Sequence, residues 1–321
     1  MKMKMMLAVA VSAVMSCSTV VHADESKPRV AALFTQTVTQ GSWDMAGYAA
    51  FKSMAAQDGF TPSYLEHTTY ESAPSVLRQL ASDGVKLIIA HSSGYSAAIK
   101  EVAPSFPNTQ FVLYSYEGST SSLPNYSAWS VDWDEYGFVL GALAAAASKS
   151  GHIAVISGEP IPSAERTVQF IKKGAAYVNP KVKVDSAYVG SFTDVARAKE
   201  IATGAIARGA DFVIPSADTA DAGIQQAADE EGVLTIGSYT DQSKSFPDSI
   251  MTSTVMNFDK SYADIGKHFT DHQLGNRIIT ENLATDGWTL ATPFAHVGKE
   301  VQDKVFSVIA ELKSGKLKIE D

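Results

Sequence analysis

The sequence predicts an α/β protein of two doubly wound parallel-sheet lobes, joined by a hinge that the chain crosses about three times. Three observations carry this. Short apolar runs alternate with helix-patterned stretches along most of the chain, which implies parallel sheets covered by helices on both faces. The alternation occurs twice: Tyr64 and Tyr188, Gly84 and Gly209, and Phe111 and Leu234 are each separated by about 124 positions, an internal repeat. The remainder, 238–321, holds too few elements for a core of its own. It is expected to return to both lobes.

Residues 1–23 read as an export leader, with Lys2 and Lys4, an apolar run over 7–15 and a small-residue cleavage site at 21–23. The apolar run is too short to span a bilayer, and the mature chain is expected to begin at Asp24 in the periplasm or another extracytoplasmic space. Cys17 offers a lipid anchor as the less favoured alternative. The organising stretch follows. Val30 to Phe34 reads as a buried strand, 35–42 as a polar loop and 43–57 as a helix. Ser42 is placed to cap that helix, and Asp44 suits its positive end. Trp43 sits at the strand-to-helix corner, where an indole either plugs the core or stacks on a bound ring.

Further strands are predicted at 61–66, 86–90 and 110–115, with helices at 72–82 and 95–103. The second half repeats this with strands at 152–157, 183–189, 211–214 and 233–237 and helices at 163–178, 194–208 and 220–231. The texts at 80–99 and 206–224 echo each other: a helix ending at Gly, a buried strand, a loop of small polar residues and a new helix. The tail supplies a strand at 250–255, a helix at 259–274, a short strand at 288–290 and a closing helix at 301–314. The expected division is 24–127 plus 240–280 for the first lobe and 128–239 plus 281–321 for the second. A cleft beside a multiply crossed hinge closes round a ligand.

Composition removes several classes. The 321 residues carry a formal charge of −9, or −11 without the two leader lysines. That opposes phosphate-backbone binding, so no nucleic-acid partner is expected. The one Cys lies in the leader, leaving no thiol for disulfides, metal or catalysis. No Gly-x-Ser-x-Gly, Walker loop or Gly-x-Gly-x-x-Gly occurs. His268 and His272 stand four apart on a predicted helix with Asp264 and Asp271. Without a suitably placed Glu they read as a solvated face, so no metal, cofactor or catalytic residue is expected. The strand-end loops hold Gln36, Ser42 to Asp44, Ser92 to Tyr95, Ser115 to Glu117, Glu159 to Phe170, Ser216 to Asp221 and Ser238 to Asp241. Hydroxyls, carboxylates and aromatics at this density make sites for polar solutes with a flat face.

The segments SWD at 42–44, PSFPNTQFVL at 104–113, EYGFVLGALAA at 135–145, GAAYVNPKVKV at 174–184, YVGSFTDVARAKEIA at 188–202 and IGSYTDQ at 236–242 together resemble the basic membrane protein family. These are exported receptors for ABC importers, a branch of the type I periplasmic binding proteins that includes purine-nucleoside receptors. The resemblance implies a monomeric receptor that captures a small solute and delivers it to a membrane permease and ATPase. A sensor subunit feeding a membrane kinase or chemoreceptor uses the same closed form and is the alternative, with an exported enzyme behind it. The resemblance places Trp43 and Asp44 (an Asn in the family) at the ligand, with Ser42 beside them and Tyr95 and Phe170 near the cleft. Asp218 and Asp221 replace family glycines; one of them is expected to cap the helix near 220. Trp129 and Trp133 flank the first crossing and are expected to pack in the hinge. Three charged groups of the nucleoside receptors fall on Tyr239, Met256 and Ser115 here. That implies weak binding of adenosine, guanosine and inosine, and a cleft suited to a flatter, more apolar solute or a small cation held by Asp44 and ring faces.

Overall fold

A computed structural model describes residues 27–319; the leader, its cleavage site and Cys17 lie outside them. The first sheet contains β1 (Arg29–Leu33), β2 (Thr61–Leu65), β3 (Leu87–Ala90), β4 (Gln110–Tyr114), β5 (Tyr126–Val131) and β11 (Arg277–Glu281). Its spatial order is β2-β1-β3-β4-β5-β11, parallel throughout. The second sheet contains β6 (His152–Ser157), β7 (Lys183–Tyr188), β8 (Phe212–Ser216), β9 (Leu234–Gly237), β10 (Ile250–Met256) and β12 (Trp288–Leu290). Its order, β7-β6-β8-β9-β10-β12, reproduces the first, with β12 antiparallel to β10. The sequence repeat is therefore a repeat of topology, and the two-lobed α/β expectation is met.

Helices α1 (Trp43–Gln57), α2 (Ala73–Ser82) and α3 (Ser96–Val102) cover the first sheet, and α5 (Pro162–Val178), α6 (Val195–Ala207) and α7 (Asp221–Glu230) the second. Strands β1, β3 and β4 of the first lobe and β6 and β8 of the second are almost wholly buried, because helices lie on both faces. Helix α4 (Trp133–Ala147) begins where Asp132 accepts hydrogen bonds from Asp134 N and Glu135 N at 3.1 and 3.0 Å, an N-cap of standard form. Helix α8 (Phe258–Thr270) packs on α1, and α9 (Lys299–Lys313) packs on α4.

The crossings fall after Val131, after Met256 and after Glu281. Three departures from the sequence reading follow. Residues 126–131 form a strand of the first sheet, so that lobe extends beyond 127. Residues 250–256 stay in the second sheet, paired with β9, so the return to the first lobe begins near 258 and not at 240. Strand β11 was also not anticipated; it is a sheet edge, largely exposed.

Buried carboxylates brace the crossings. Glu135 accepts from Leu283 N at 2.7 Å and from Trp288 Nε1 at 3.1 Å. Glu281 takes Lys260 Nζ at 2.5 Å and the Ser261 hydroxyl. Each ties one crossing segment to a helix, which fixes where the chain bends.

Candidate functional site

The carboxyl ends of both sheets face one another, the position at which open α/β sheets bind ligands. Between them lies a cavity of about 50 Å³, room for roughly three to five waters at about one probe sphere each. Trp43, Tyr70, Trp133, Phe192, Tyr239 and Asp218 form much of its wall, with the hydroxyls of Thr35, Ser92, Ser115, Ser163, Thr167 and Ser216 between them.

Trp43 opens α1 and stands at the centre of a ring cluster. Its ring stacks on His91 at 4.7 Å and meets Tyr239 of the other lobe edge-on at 5.1 Å and Trp133 at 5.6 Å. Its indole N–H donates to His91 O at 3.1 Å, so the polar handle is already used. His91 is wholly buried, and burial pushes its imidazole down to about 3. It is neutral: Nε2 donates to Trp43 O at 3.2 Å and Nδ1 accepts from the Tyr262 hydroxyl at 2.8 Å. Trp43 thus has one face backed by the first lobe and one edge against the second.

Asp218 joins the lobes. Its Oδ1 accepts from Ser42 N at 2.8 Å and Trp43 N at 3.0 Å, with Ser42 Oγ at 3.4 Å. The Ser42 side chain makes no cap of its own; the free N–H groups at the start of α1 are satisfied from the opposite lobe. Asp218 holds φ at +52° and Tyr239 at +66°, a left-handed backbone that is tolerable for Asp and uncommon for Tyr. Hydrogen bonds fix the Tyr239 conformation, from its N to Thr254 Oγ1 at 2.9 Å and from Met256 N to its O at 3.0 Å. Strain held by tertiary contacts is typical of ligand clamps.

Asp44 is fully buried beside the cavity. Its Oδ2 accepts from Thr35 Oγ1 at 3.0 Å and Gln36 N at 2.7 Å, and its Oδ1 has no partner. Burial first, and the Asp218 charge second, push its carboxyl up to about 7. Asp218 is raised too, by burial.

The family described as "Bmp: ABC transporter substrate-binding protein PnrA-like" matches residues 27–320. The chain belongs to this family. It is 26% identical over 291 residues to the transcriptional activator protein med of Bacillus subtilis (strain 168), covering 90% of each chain. It is 26% identical over 299 residues to a purine-binding protein of Brucella abortus (strain 2308), covering 92% of this chain and 83% of that one. Among solved structures, an ABC transporter solute-binding protein of Conexibacter woesei superposes with a TM-score of 0.69 at 24% identity, over 91% of this chain and 98% of that one. The fold is that of the type I periplasmic binding proteins. As a Bmp-family protein, the chain has a solute-binding role, and the family works outside the cytoplasm. No described helix is long and apolar enough to cross a membrane.

Among the residues read from the sequence, Trp43, Ser115, Asp218 and Tyr239 line the cavity of this Bmp-family protein. Ser42 and Asp44 lie one layer behind. Tyr95, Phe170 and Met256 do not reach the cavity. Tyr95 is in the first lobe's interior, its hydroxyl donating to Thr68 O at 2.5 Å and its ring supporting Tyr70 at 5.1 Å. Only the first turns of α5 meet the cleft, through Ser163, Ala164 and Thr167; Phe170 is a turn deeper, packed toward α4 beneath Arg166 and Lys173. Met256 supports Tyr239 through the backbone. Asp221 accepts from Ala217 N at 2.5 Å and steadies the 217–221 turn, while Asp218, one of the two candidates for capping the helix near 220, caps α1 instead.

Four wall residues depart from the sequence reading. Trp133, expected in the hinge, faces the cavity because Asp132 starts α4 at the crossing. Thr35 follows β1, and Tyr70 and Phe192 follow β2 and β7, the second strand of each lobe; none is among the strand-end loop residues read from the sequence, although the strand-end rule covers all three. Trp43→Ala is expected to weaken binding of the protein's own solute by about 1–3 kcal/mol through lost stacking and burial. Calorimetry on the folded variant checks this, and unchanged affinity assigns Trp43 to the interior.

Proposed function

We propose that this protein captures a small solute in the interlobe cleft and presents the closed form to an ABC permease and ATPase, as a monomer and without chemical change to the solute. The carrying observation is the closure across the cleft. Asp218 of one lobe takes the first N–H groups of α1 in the other, around a wall of rings and hydroxyls. Nothing in that wall pairs a nucleophile with a base, which supports binding over catalysis. The acidic charge of −9 supports a solute over nucleic acid as the partner.

The Brucella relative carries the name purine-binding protein. The family resemblance aligns Tyr239, Met256 and Ser115 with charged groups of the nucleoside receptors; Tyr239 and Ser115 line the cavity and Met256 does not, so the two wall replacements carry the expectation that nucleosides bind weakly. Each missing charge-assisted hydrogen bond costs about 1.5–3 kcal/mol when nothing replaces it. Small-angle scattering of solute-free and solute-loaded protein tests the reading. The radius of gyration is expected to fall on loading, and an unchanged radius with a bound solute counts against closure.

A further inference from the structure

The cavity wall carries charge of one sign. Asp218 lines it, and Asp44 stands behind Thr35 with Oδ1 unpartnered. No Lys, Arg or His side chain lines it. None of the ion pairs among the described residues involves Asp44 or Asp218. His91, stacked on Trp43, is neutral. Buried carboxylates without a countercharge are costly, so an occupant that supplies the charge gains from both.

The rings set the shape of that occupant. Trp43 lies 5.6 Å from Trp133 and 5.1 Å from Tyr239, and Trp133 lies 6.5 Å from Tyr239. A flat ring between two others needs two van der Waals contacts of about 3.5 Å, hence roughly 7 Å. A heterocycle therefore does not fit between any two of these rings in the closed form, whereas a compact group can touch all three. The hydroxyls of Ser92, Ser115 and Ser216 line the same cavity and offer hydrogen bonds to a polar group on the occupant.

We propose that the cavity takes a small organic ammonium ion bearing one hydrogen-bond acceptor, an amino alcohol in the size range of ethanolamine and choline. This rests on the solute-binding reading. The ammonium lies against the faces of Trp43, Trp133 and Tyr239, the arrangement by which aromatic cages hold such cations. Asp218 and Asp44 supply the opposite charge, and the alcohol hydrogen-bonds to the serine hydroxyls of the wall. Amino acids and betaines are disfavoured, because their carboxylate meets like charge and no basic side chain.

Asp44 gives the site a pH signature. Burial and the Asp218 charge push its carboxyl up to about 7. The titratable groups around it are Asp218, also raised, the phenols of Tyr70, Tyr95 and Tyr262, all raised above their ordinary range, and neutral His91. A bound cation favours the ionised carboxylate, so binding expels a proton below about pH 7. Affinity then rises with pH and levels off above that value. Choline is quaternary and keeps its charge, so the trend reports the protein alone. Its affinity is expected to be about 30-fold higher at pH 8 than at pH 5.5.

Calorimetry on the solute-stripped protein tests the proposal. The probes are choline, ethanolamine, 3,3-dimethylbutan-1-ol as the uncharged isostere of choline, glycine betaine, adenine and inosine. Choline or ethanolamine is expected to bind at least 100-fold more tightly than the isostere and than glycine betaine. Asp44→Asn, which installs the residue the family resemblance implies there, is expected to flatten the pH profile. Equal binding of choline and its isostere overturns the proposal, as does tighter binding of adenine or inosine, or failure of both amines. Mass spectrometry of solute released from freshly purified protein separates the two readings. An uncharged released solute, with the amines inactive, removes the cation class and keeps solute capture. No released solute, with no probe bound, removes both.

Discussion

Asp218→Ala is expected to leave each lobe folded and to hold the cleft open. The Asp218 carboxylate takes the N–H groups of Ser42 and Trp43 at 2.8 and 3.0 Å from across the cleft. In the open form water can satisfy both donors, so the variant loses closure and keeps its fold. Hydrogen bonds to a charged acceptor contribute about 1.5–3 kcal/mol each. Burying the carboxylate offsets part of that, as the upward shift of its pKa shows. A net loss of about 2–4 kcal/mol remains, or roughly 30- to 1,000-fold in solute affinity. Asp218→Asn keeps an acceptor at the helix start and is expected to recover part of the loss. Calorimetry reads the affinity, scattering reads the closure and thermal unfolding reads the fold. An unchanged affinity removes the closure role, and a large fall in Tm makes Asp218 a folding element instead.

The same contact explains what local sequence reading can and cannot reach. The sequence offers Asp218 as a cap for the helix that follows it, because capping is a short-range pattern. Its actual partners are 175 and 176 positions away, and no window contains both. The strand-and-helix frame was legible because buried parallel strands are short apolar runs and helices end at Gly. Strand β5 escaped because YSAWSV carries serines on a buried strand. Ser130 Oγ donates to Val131 O at 2.7 Å and Ser127 Oγ accepts from Gly275 N at 2.7 Å, so polar residues are satisfied where the pattern expects apolar ones. Strand β11 escaped because an exposed edge needs no apolar run. At the site, loop position identified Trp43, Ser115 and Tyr239, whereas Phe170 failed on depth along α5. It shares a face with Ser163 and Thr167, which line the cavity, but sits a turn further along, where that face packs on α4. Spacing alone does not say how far into a helix a cleft reaches.

Gly141→Ala is expected to destabilise the protein even though alanine is the better helix former. Helices α4 and α5 touch backbone to backbone. A Cβ at Gly141 falls 2.0 Å from Ile171 O and 2.7 Å from Ala175 N, and one at Gly174 falls 1.9 Å from Phe138 O. Backbone atoms cannot rotate aside, so the helices must separate. Overpacking costs about 1–3 kcal/mol and occasionally more, against a propensity gain of at most about 1 kcal/mol. A net loss of about 1–2 kcal/mol is expected for Gly141→Ala, and Gly141→Leu is expected to prevent the second lobe from folding. The damage reaches the site, because α4 delivers Trp133 and α5 delivers Ser163 and Thr167 to the cavity. Gly204 in α6 is the control. Its Cβ meets only the flexible tip of Arg208 at 3.4 Å, so Gly204→Ala is expected to stabilise by about 0.5–1 kcal/mol. Denaturant unfolding of the two alanine variants decides the matter. Opposite signs support backbone contact between α4 and α5, and a stabilised Gly141→Ala shows that the helices have room to spare.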